Sequence, residues 1–113
     1  MLNKNNRISR NKDFDRVFKL GRSFYGKIIG LKAVDNNASF TRLGILISTK
    51  VSKKAVVRNR FKRQIRRIIQ EQLANIKEGK DIIIIVFPEI LDKKFQEIKD
   101  FLKIGLNRLN LYK

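Results

Sequence analysis

The sequence contains neither cysteine nor histidine, and these two absences exclude several kinds of site. Without cysteine there is no disulfide and no thiolate metal site. Without histidine there is no imidazole to shuttle protons, to ligate a metal or to activate a serine nucleophile. No apolar run approaches the roughly 18 residues that span a membrane, and the basic stretch 1–10 lacks the apolar segment of a signal peptide. We therefore expect a cytoplasmic protein with no membrane partner.

Acidic residues are also scarce. The chain has 10 of them against 27 basic residues, which gives a net charge of +17 over 113 residues. Such an excess destabilises a compact fold by self-repulsion unless a polyanion neutralises it. Since 42% of the residues are hydrophobic, the chain can still build a core. We expect one folded domain, residues 1–113, that binds nucleic acid and carries a flexible basic arm at residues 1–8. A cationic surface without a dedicated partner is the alternative.

Hydrophobic periodicity predicts the element order α-β-β(-β)-α-β-α. The first two predicted helices cover about residues 10–20 and 53–78, and a third follows Asp92 and includes Leu109; Ser9, Ser52 and Asp92 are their predicted N-caps. Extended stretches at 23–34 and 40–48 suggest an antiparallel pair. The β-branched run 82–86 suits a strand that is covered on both faces. This order predicts an α+β fold, an α/β sandwich in which helices pack on one sheet of about four strands.

The second predicted helix concentrates the positive charge. No acidic residue lies between Asp35 and Glu71, and the stretch 50–67 contains nine basic residues. At about 100° per residue the helix carries two basic rows, one beside its apolar stripe and one further round, with an asparagine between them. The first row is Arg58, Lys62 and Arg66, the second is Arg60, Arg63 and Arg67, and the asparagine is Asn59. Arginine suits bidentate phosphate contacts, so the helix is predicted to bind a polyphosphate chain. Charge alone does not decide between RNA and DNA.

Catalysis by the protein's own groups is not expected. No glycine-rich phosphate loop is present. The close acidic pair, Asp13 and Asp15, is spaced i,i+2 and points to different helix faces. We predict no catalytic residue, no metal ligands and no small-molecule substrate. Phe14 and Phe18 are spaced i,i+4 on the first helix, which fits either a stacking surface for unpaired bases or ordinary core, and periodicity alone favours core.

Three segments resemble the bacterial ribonuclease P protein family. The stretch 58–67, with Ala55 before it, resembles the family's RNR signature, A-x-x-R-N-R-x-K-R-x-x-R. The stretch 13–21 is similar to the first-helix pattern D-F-x-x-V-F-K-x-G. The stretch 43–45, followed by Ser48, resembles the strand before the signature. With its spacing, the resemblance covers nearly the whole chain.

The resemblance implies a function and a set of contacts. The family protein assists a catalytic RNA that, with Mg²⁺, hydrolyses the phosphodiester that releases the 5′ leader of precursor tRNA. Contacts to the catalytic RNA are implied for Arg58, Asn59, Arg60, Lys62, Arg63, Arg66 and Arg67. Leader contacts are implied for Phe14, Phe18, Lys50 and Lys54. A left-handed β-α-β crossover is implied as well. Lys32 stands where some members have an aromatic residue, so a leader contact there is left open.

Two other classes of protein explain part of the pattern. A structural RNA-binding protein, such as a small ribosomal protein, accounts for the charge and the size equally well. It does not account for the phenylalanine pair and the RNR block together. A DNA-binding helix is the third interpretation, and it would prefer duplex DNA to structured RNA.

Overall fold

The computed structural model describes residues 4–113, which form three α-helices and four strands. In chain order these are α1 (Asn11–Leu20), β1 (Arg22–Tyr25), β2 (Ile29–Asp35), β3 (Arg42–Leu46), α2 (Ala55–Gln72), β4 (Lys80–Val86) and α3 (Phe95–Arg108). Short 3₁₀ turns lie at Lys4–Asn6, Leu73–Asn75 and Pro88–Asp92. The predicted order is confirmed with the optional strand present, because the stretch 23–34 divides into β1 and β2. Within the described range, no helix is both long and apolar enough to cross a membrane.

The four strands form one mixed sheet in the order β1-β2-β4-β3. β2 is antiparallel to both β1 and β4, whereas β3 is parallel to β4. The predicted antiparallel pairing of stretch 23–34 with 40–48 is therefore wrong, because β4 lies between β2 and β3. β4 carries the continuous isoleucine run, and the centre of the sheet is the place that covers both faces of such a strand. The connection through α2 is a β-α-β crossover, whose left hand stays a prediction of the resemblance.

The two faces of the sheet build two separate clusters. On one face, side chains such as Leu31 and Ile84 pack against Phe61 and Ile65 of α2 and Leu102 of α3 to form the main core. On the opposite face a smaller cluster contains Ile8, Val17 of α1 and Ile83 of β4. The smaller cluster holds α1 on the sheet and leaves the rest of that face uncovered by helices.

The three predicted N-caps are wrong. The structure places the caps one or two residues later, at Arg10, Lys54 and Lys94. Ser52 instead accepts a hydrogen bond on Oγ from the Lys54 amide at 3.2 Å, which closes a turn before α2. A serine side chain that bonds its own local backbone in this way no longer serves the helix.

α2 ends earlier than residue 78. Ile76 forms a β-bridge with Tyr112, and the amide of Lys77 donates to the carbonyl of Leu111 at 2.7 Å. This pairing with the C-terminal segment replaces the last helical turn, which local periodicity could not reveal.

The segment predicted to be a flexible arm contacts the sheet where the structure describes it. Arg7 forms a parallel bridge with Leu43 of β3, and the amide of Ile8 donates to the Leu43 carbonyl at 2.9 Å. Ile8 is only 7% exposed. Residues 7 and 8 therefore belong to the sheet edge rather than to a free arm, while residues 1–3 lie outside the described range.

Candidate nucleic-acid interface

The two basic rows of α2 differ in exposure. The inner row, which is Arg58, Lys62 and Arg66, is half-buried. The outer row, which is Arg60, Arg63 and Arg67, is exposed, and so is Asn59 between the two rows. This split follows from the helical angle, since the inner row borders the apolar stripe that packs into the main core. The outer row is the surface that a large polyanion can reach directly.

Two residues of the inner row, Arg58 and Arg66, interact with other residues of the protein. Nη1 of Arg58 donates to the carbonyl oxygen of Ser52 at 2.8 Å and so holds the loop before α2. Burial, together with the nearby charge of Arg7, lowers the pKa of the Arg66 guanidinium. The charges of Arg7 and Arg66 thus repel each other, and a bound anion would relieve that repulsion.

Aromatic contacts orient two arginines of the outer row without burying them. The guanidinium carbon of Arg67 lies 5.3 Å from the centre of the Phe95 ring, and that of Arg60 lies 5.1 Å from the Phe61 ring. The Arg67 side chain nevertheless stays 73% exposed. The three arginines, Gln64 and Phe95 line a shallow pocket of about 430 Å³. Pre-oriented guanidinium groups lose less freedom on binding, which favours phosphate contact.

Phe14 and Phe18 of α1 have different surroundings. The Phe14 ring lies on Gly44, where an added Cβ would be 2.7 Å from ring atom Cε1, and it packs against the Ile8 cluster. Only glycine permits this approach. Phe18 is 40% exposed and faces solvent near β2. The structure thus places Phe14 mainly in the smaller core and leaves Phe18 open for stacking.

An aromatic surface forms around Lys32. Its ammonium nitrogen lies 5.7 Å from the ring centres of both Phe18 and Tyr25, and it donates to Ser23 Oγ at 2.7 Å. Tyr25 is 60% exposed, and its ring lies over Gly30. We call Phe18, Tyr25 and Lys32 the aromatic surface. Sequence reasoning missed Tyr25, although an aromatic residue on a short edge strand was the available signal.

Lys50 and Lys54 lie at the same end of the sheet as Tyr25. They are exposed in the loop between β3 and α2, just beyond Leu46, the last residue of β3. The strand register aligns Tyr25 of β1 and Leu46 of β3 in one row across the four strands, so the two residues lie at the same end of the sheet but on its two edge strands. The structure therefore gathers the aromatic surface and two lysines around one end of the sheet, with the start of α2 beside them.

A buried ion-pair network fixes α1 on the sheet. Arg42 donates to both carboxylate oxygens of Asp81, at 2.8 and 2.6 Å, and its Nη1 lies 3.3 Å from Oδ2 of Asp13 in α1. Asp81 is fully buried and also accepts from Asn36 Nδ2 at 2.8 Å. The hydrogen bond to Asp81 raises the pKa of Arg42. The aspartate of the first-helix pattern thus helps to position the helix that carries Phe18.

In the part of the chain that the structure describes, the acidic side chains do not fit a magnesium site. Asp13 and Asp81 lie near each other, but Arg42 bridges them, and Arg16 Nη1 lies 3.8 Å from Asp81 Oδ2, so two arginines balance the two carboxylates. Within residues 4–113 no group of three or more acidic side chains is arranged to hold a metal ion. No chemical step through Mg²⁺ is therefore assigned to this chain.

The fold and the exposed basic helix define a small mixed-sheet protein that binds a polyanion. The chain belongs to the ribonuclease P protein family, the protein subunits of an RNA–protein endoribonuclease, and the Ribonuclease P family profile matches residues 2–110. This membership confirms the predicted family. It implies a partner RNA subunit and places the chain among RNA-binding proteins of tRNA processing.

Individual relatives agree with this assignment. The ribonuclease P protein component of Pseudanabaena sp. (strain PCC 6903) is 42% identical over 104 residues, which cover 91% of this chain and 90% of that one. That of Bacillus velezensis is 38% identical over 113 residues, covering 99% and 96%. A solved Staphylococcus aureus RNase P protein, a mutant with defective mRNA degradation activity, has a TM-score of 0.90 at 32% identity, covering 96% and 92%. The predicted α+β fold is confirmed, and the ribosomal and DNA-binding interpretations are set aside.

Proposed function

We propose that the protein binds the catalytic RNA of ribonuclease P through the outer row of α2 and the 5′ leader of precursor tRNA through the aromatic surface. In this way it assists endonucleolytic removal of the leader in the cytoplasm. The observation that carries the proposal is the exposure of three arginines and Asn59 on a helix whose first 16 residues contain no acid. Family membership supports RNA as the polyanion.

The outer row supplies the direct contacts to the catalytic RNA in this proposal. Each guanidinium group can bind two oxygens of one phosphate in a bidentate contact. Asn59 can donate to or accept from a base edge or a 2′-hydroxyl. Lys62 and Arg66 of the inner row add positive potential, and Arg58 mainly holds the loop at Ser52. Neutralising several phosphates releases counterions, so the affinity falls steeply as salt rises.

Stacking and charge together support leader binding. A single strand is held by aromatic faces for its bases and by cations for its backbone. Phe18 and Tyr25 offer the faces, while Lys32, Lys50 and Lys54 offer the charge. Phe14, half-buried over Gly44, supports this surface from beneath rather than stacking on a base.

Catalysis remains with the RNA in this proposal. Mg²⁺ would act together with the RNA subunit, and within residues 4–113 no group of three or more acidic side chains is arranged to hold it. The protein then contributes positioning of the leader and neutralisation of charge, which lowers the Mg²⁺ concentration that cleavage requires.

The test is cleavage of precursor tRNA at low Mg²⁺ by a bacterial ribonuclease P RNA, with and without the protein. We expect the protein to restore cleavage at the mature 5′ end. A precursor with a one-nucleotide leader is the control, and it should gain much less from the protein. Tight RNA binding without any stimulation of cleavage would contradict the proposal.

A further inference from the structure

An open pocket lies beyond the C-terminal end of the outer row. α2, α3 and the C-terminal segment border about 810 Å³ of open pocket, a volume typical of ligand sites. Its lining combines three amide side chains, a phenol, three lysines, a glutamate and an isoleucine. We call it the α3 pocket and define it by Gln72, Asn75, Lys103, Ile104, Asn107 and Tyr112. None of these residues belongs to the two surfaces proposed above.

Gln72 leaves a hydrogen-bond donor unused in this pocket. The residue is only 7% exposed, and its Oε1 accepts a hydrogen bond from the hydroxyl of Tyr112. Its Nε2 is buried and has no hydrogen-bond partner within the described part of the chain. Burial raises the pKa of Tyr112, so the phenol remains a donor to Gln72 near neutral pH. An unpaired buried donor is costly, and a ligand acceptor would remove that cost.

Charge connects the α3 pocket to the outer row. Glu71 lies 3.4 Å from Arg67 Nε and 3.5 Å from Lys99 Nζ, so it links α2 to α3 at the pocket rim. Lys103 is exposed, and it makes no ion pair within residues 4–113. A polyanion that follows the outer row past Arg67 therefore meets an unpaired cation at the mouth of the pocket.

We propose that the α3 pocket binds one unpaired nucleotide of the RNA partner. The exposed amides of Asn75 and Asn107 present donors and acceptors to a base edge, which is how unpaired RNA bases are recognised, and Gln72 contributes its Nε2 donor from the pocket lining. The Tyr112 ring and the Ile104 side chain, which is 49% exposed, offer apolar contact to the base. Lys103 pairs with the adjoining phosphate. This inference rests on the proposed function, because it extends the same RNA interface by one pocket.

The first test measures the affinity of the full-length protein for a transcribed bacterial ribonuclease P RNA over a range of salt concentrations. Lys103→Ala should raise Kd about fivefold and reduce the salt slope by about 0.7–0.9, the loss of one phosphate contact. Gln72→Glu keeps an acceptor for the Tyr112 hydroxyl but replaces the unused donor with a carboxylate oxygen that carries negative charge, and it should also weaken binding. Lys12→Ala removes an exposed lysine of α1 and should leave Kd unchanged.

A second test detects contact directly. A benzophenone photocrosslinker at position 104 should label the RNA, whereas the same group at position 91 should not, although Ile104 and Leu91 are 49% and 47% exposed. Crosslinking from position 104 alone supports the pocket. Equal labelling from both positions overturns it.

Two outcomes separate this inference from the proposed function. If Arg63→Ala weakens RNA binding while Lys103→Ala and Gln72→Glu do not, the pocket inference fails and the proposed function stands. If none of the three changes binding, both fail. Calorimetric titration with adenosine monophosphate is the last arm: tight binding of the free nucleotide, without crosslinking to RNA, would make the pocket a nucleotide site and overturn the RNA assignment.

Discussion

The division of α2 into two rows predicts that replacing an inner arginine mainly lowers stability, whereas replacing an outer arginine mainly lowers RNA affinity. Arg63 is exposed and makes no ion pair within the described residues, so Arg63→Ala should change the free energy of unfolding by less than about 0.5 kcal/mol. Arg58 donates to the carbonyl oxygen of Ser52 at 2.8 Å in a part-buried hydrogen bond. Arg58→Ala should therefore cost about 1 kcal/mol of stability, which lowers Tm by roughly 4–8 °C in a domain of this size.

The RNA affinities should show the reverse order. Losing a charge-assisted contact to phosphate costs about 1.5 kcal/mol, so Arg63→Ala should raise Kd for the catalytic RNA roughly tenfold. The slope of log K against log salt should fall by about 0.7–0.9. Arg58→Ala should change affinity less once it is measured below its lowered Tm.

Thermal unfolding and filter binding at several salt concentrations measure these quantities on the same samples. Arg63→Lys is the matched variant, since it keeps the charge but loses the bidentate geometry, and it should recover the salt slope more fully than the affinity. If Arg63→Ala leaves the slope unchanged, or if it unfolds as early as Arg58→Ala, the division into inner and outer rows is wrong.

Three further predictions concern the sheet and the aromatic surface. Arg42→Met leaves the buried carboxylate of Asp81 with the more distant Arg16 as its ion-pair partner, whose Nη1 lies 3.8 Å from Oδ2, and should cost about 3 kcal/mol, measured by urea unfolding. Phe18→Ala should weaken binding of precursor tRNA but not of leaderless tRNA, with unchanged Tm, whereas Phe14→Ala should lower Tm strongly; equal loss of Tm in both would contradict the assignment. Lys80 forms an ion pair with Asp35, and its hydrogen bond and charge lower the pKa of the Asp35 carboxyl below the unfolded value of about 3.9. The stability from this pair is therefore present above that pH and lost as pH falls through the lower folded pKa. The difference between wild type and Asp35→Asn in acid unfolding should shrink below about pH 4.

The sequence predicts most helices and strands well, but it does not predict which strands lie side by side in the sheet. The isoleucine run of β4 predicts a strand buried on both faces because no polar residue interrupts it between Asp81 and Phe87. Which strands flank it depends on the path of α2, and hydrophobic periodicity says nothing about that path. The antiparallel pairing expected from chain proximity is wrong for this reason.

The same limit applies to the site. The two rows of α2 follow from a fixed angle per residue, so their different exposure could be anticipated. Phe14 and Phe18 occupy one helix face, but only Phe14 packs on a glycine of the sheet, Gly44, and this contact makes it part of the core while Phe18 stays at the surface. Tyr25 and Lys32 meet Phe18 through strand pairing and helix docking, which no local pattern encodes.

The bridge from residues 7 and 8 to β3 has a consequence for the free protein. An uncovered edge strand exposes amides and carbonyls on which a second molecule can add a strand, the first step of aggregation. The Ile8–Leu43 hydrogen bond occupies part of that edge and covers its apolar flank. The protein without bound RNA is thereby protected against self-association at this edge. A chain that lacks its first eight residues should lose this protection, while its net charge changes little.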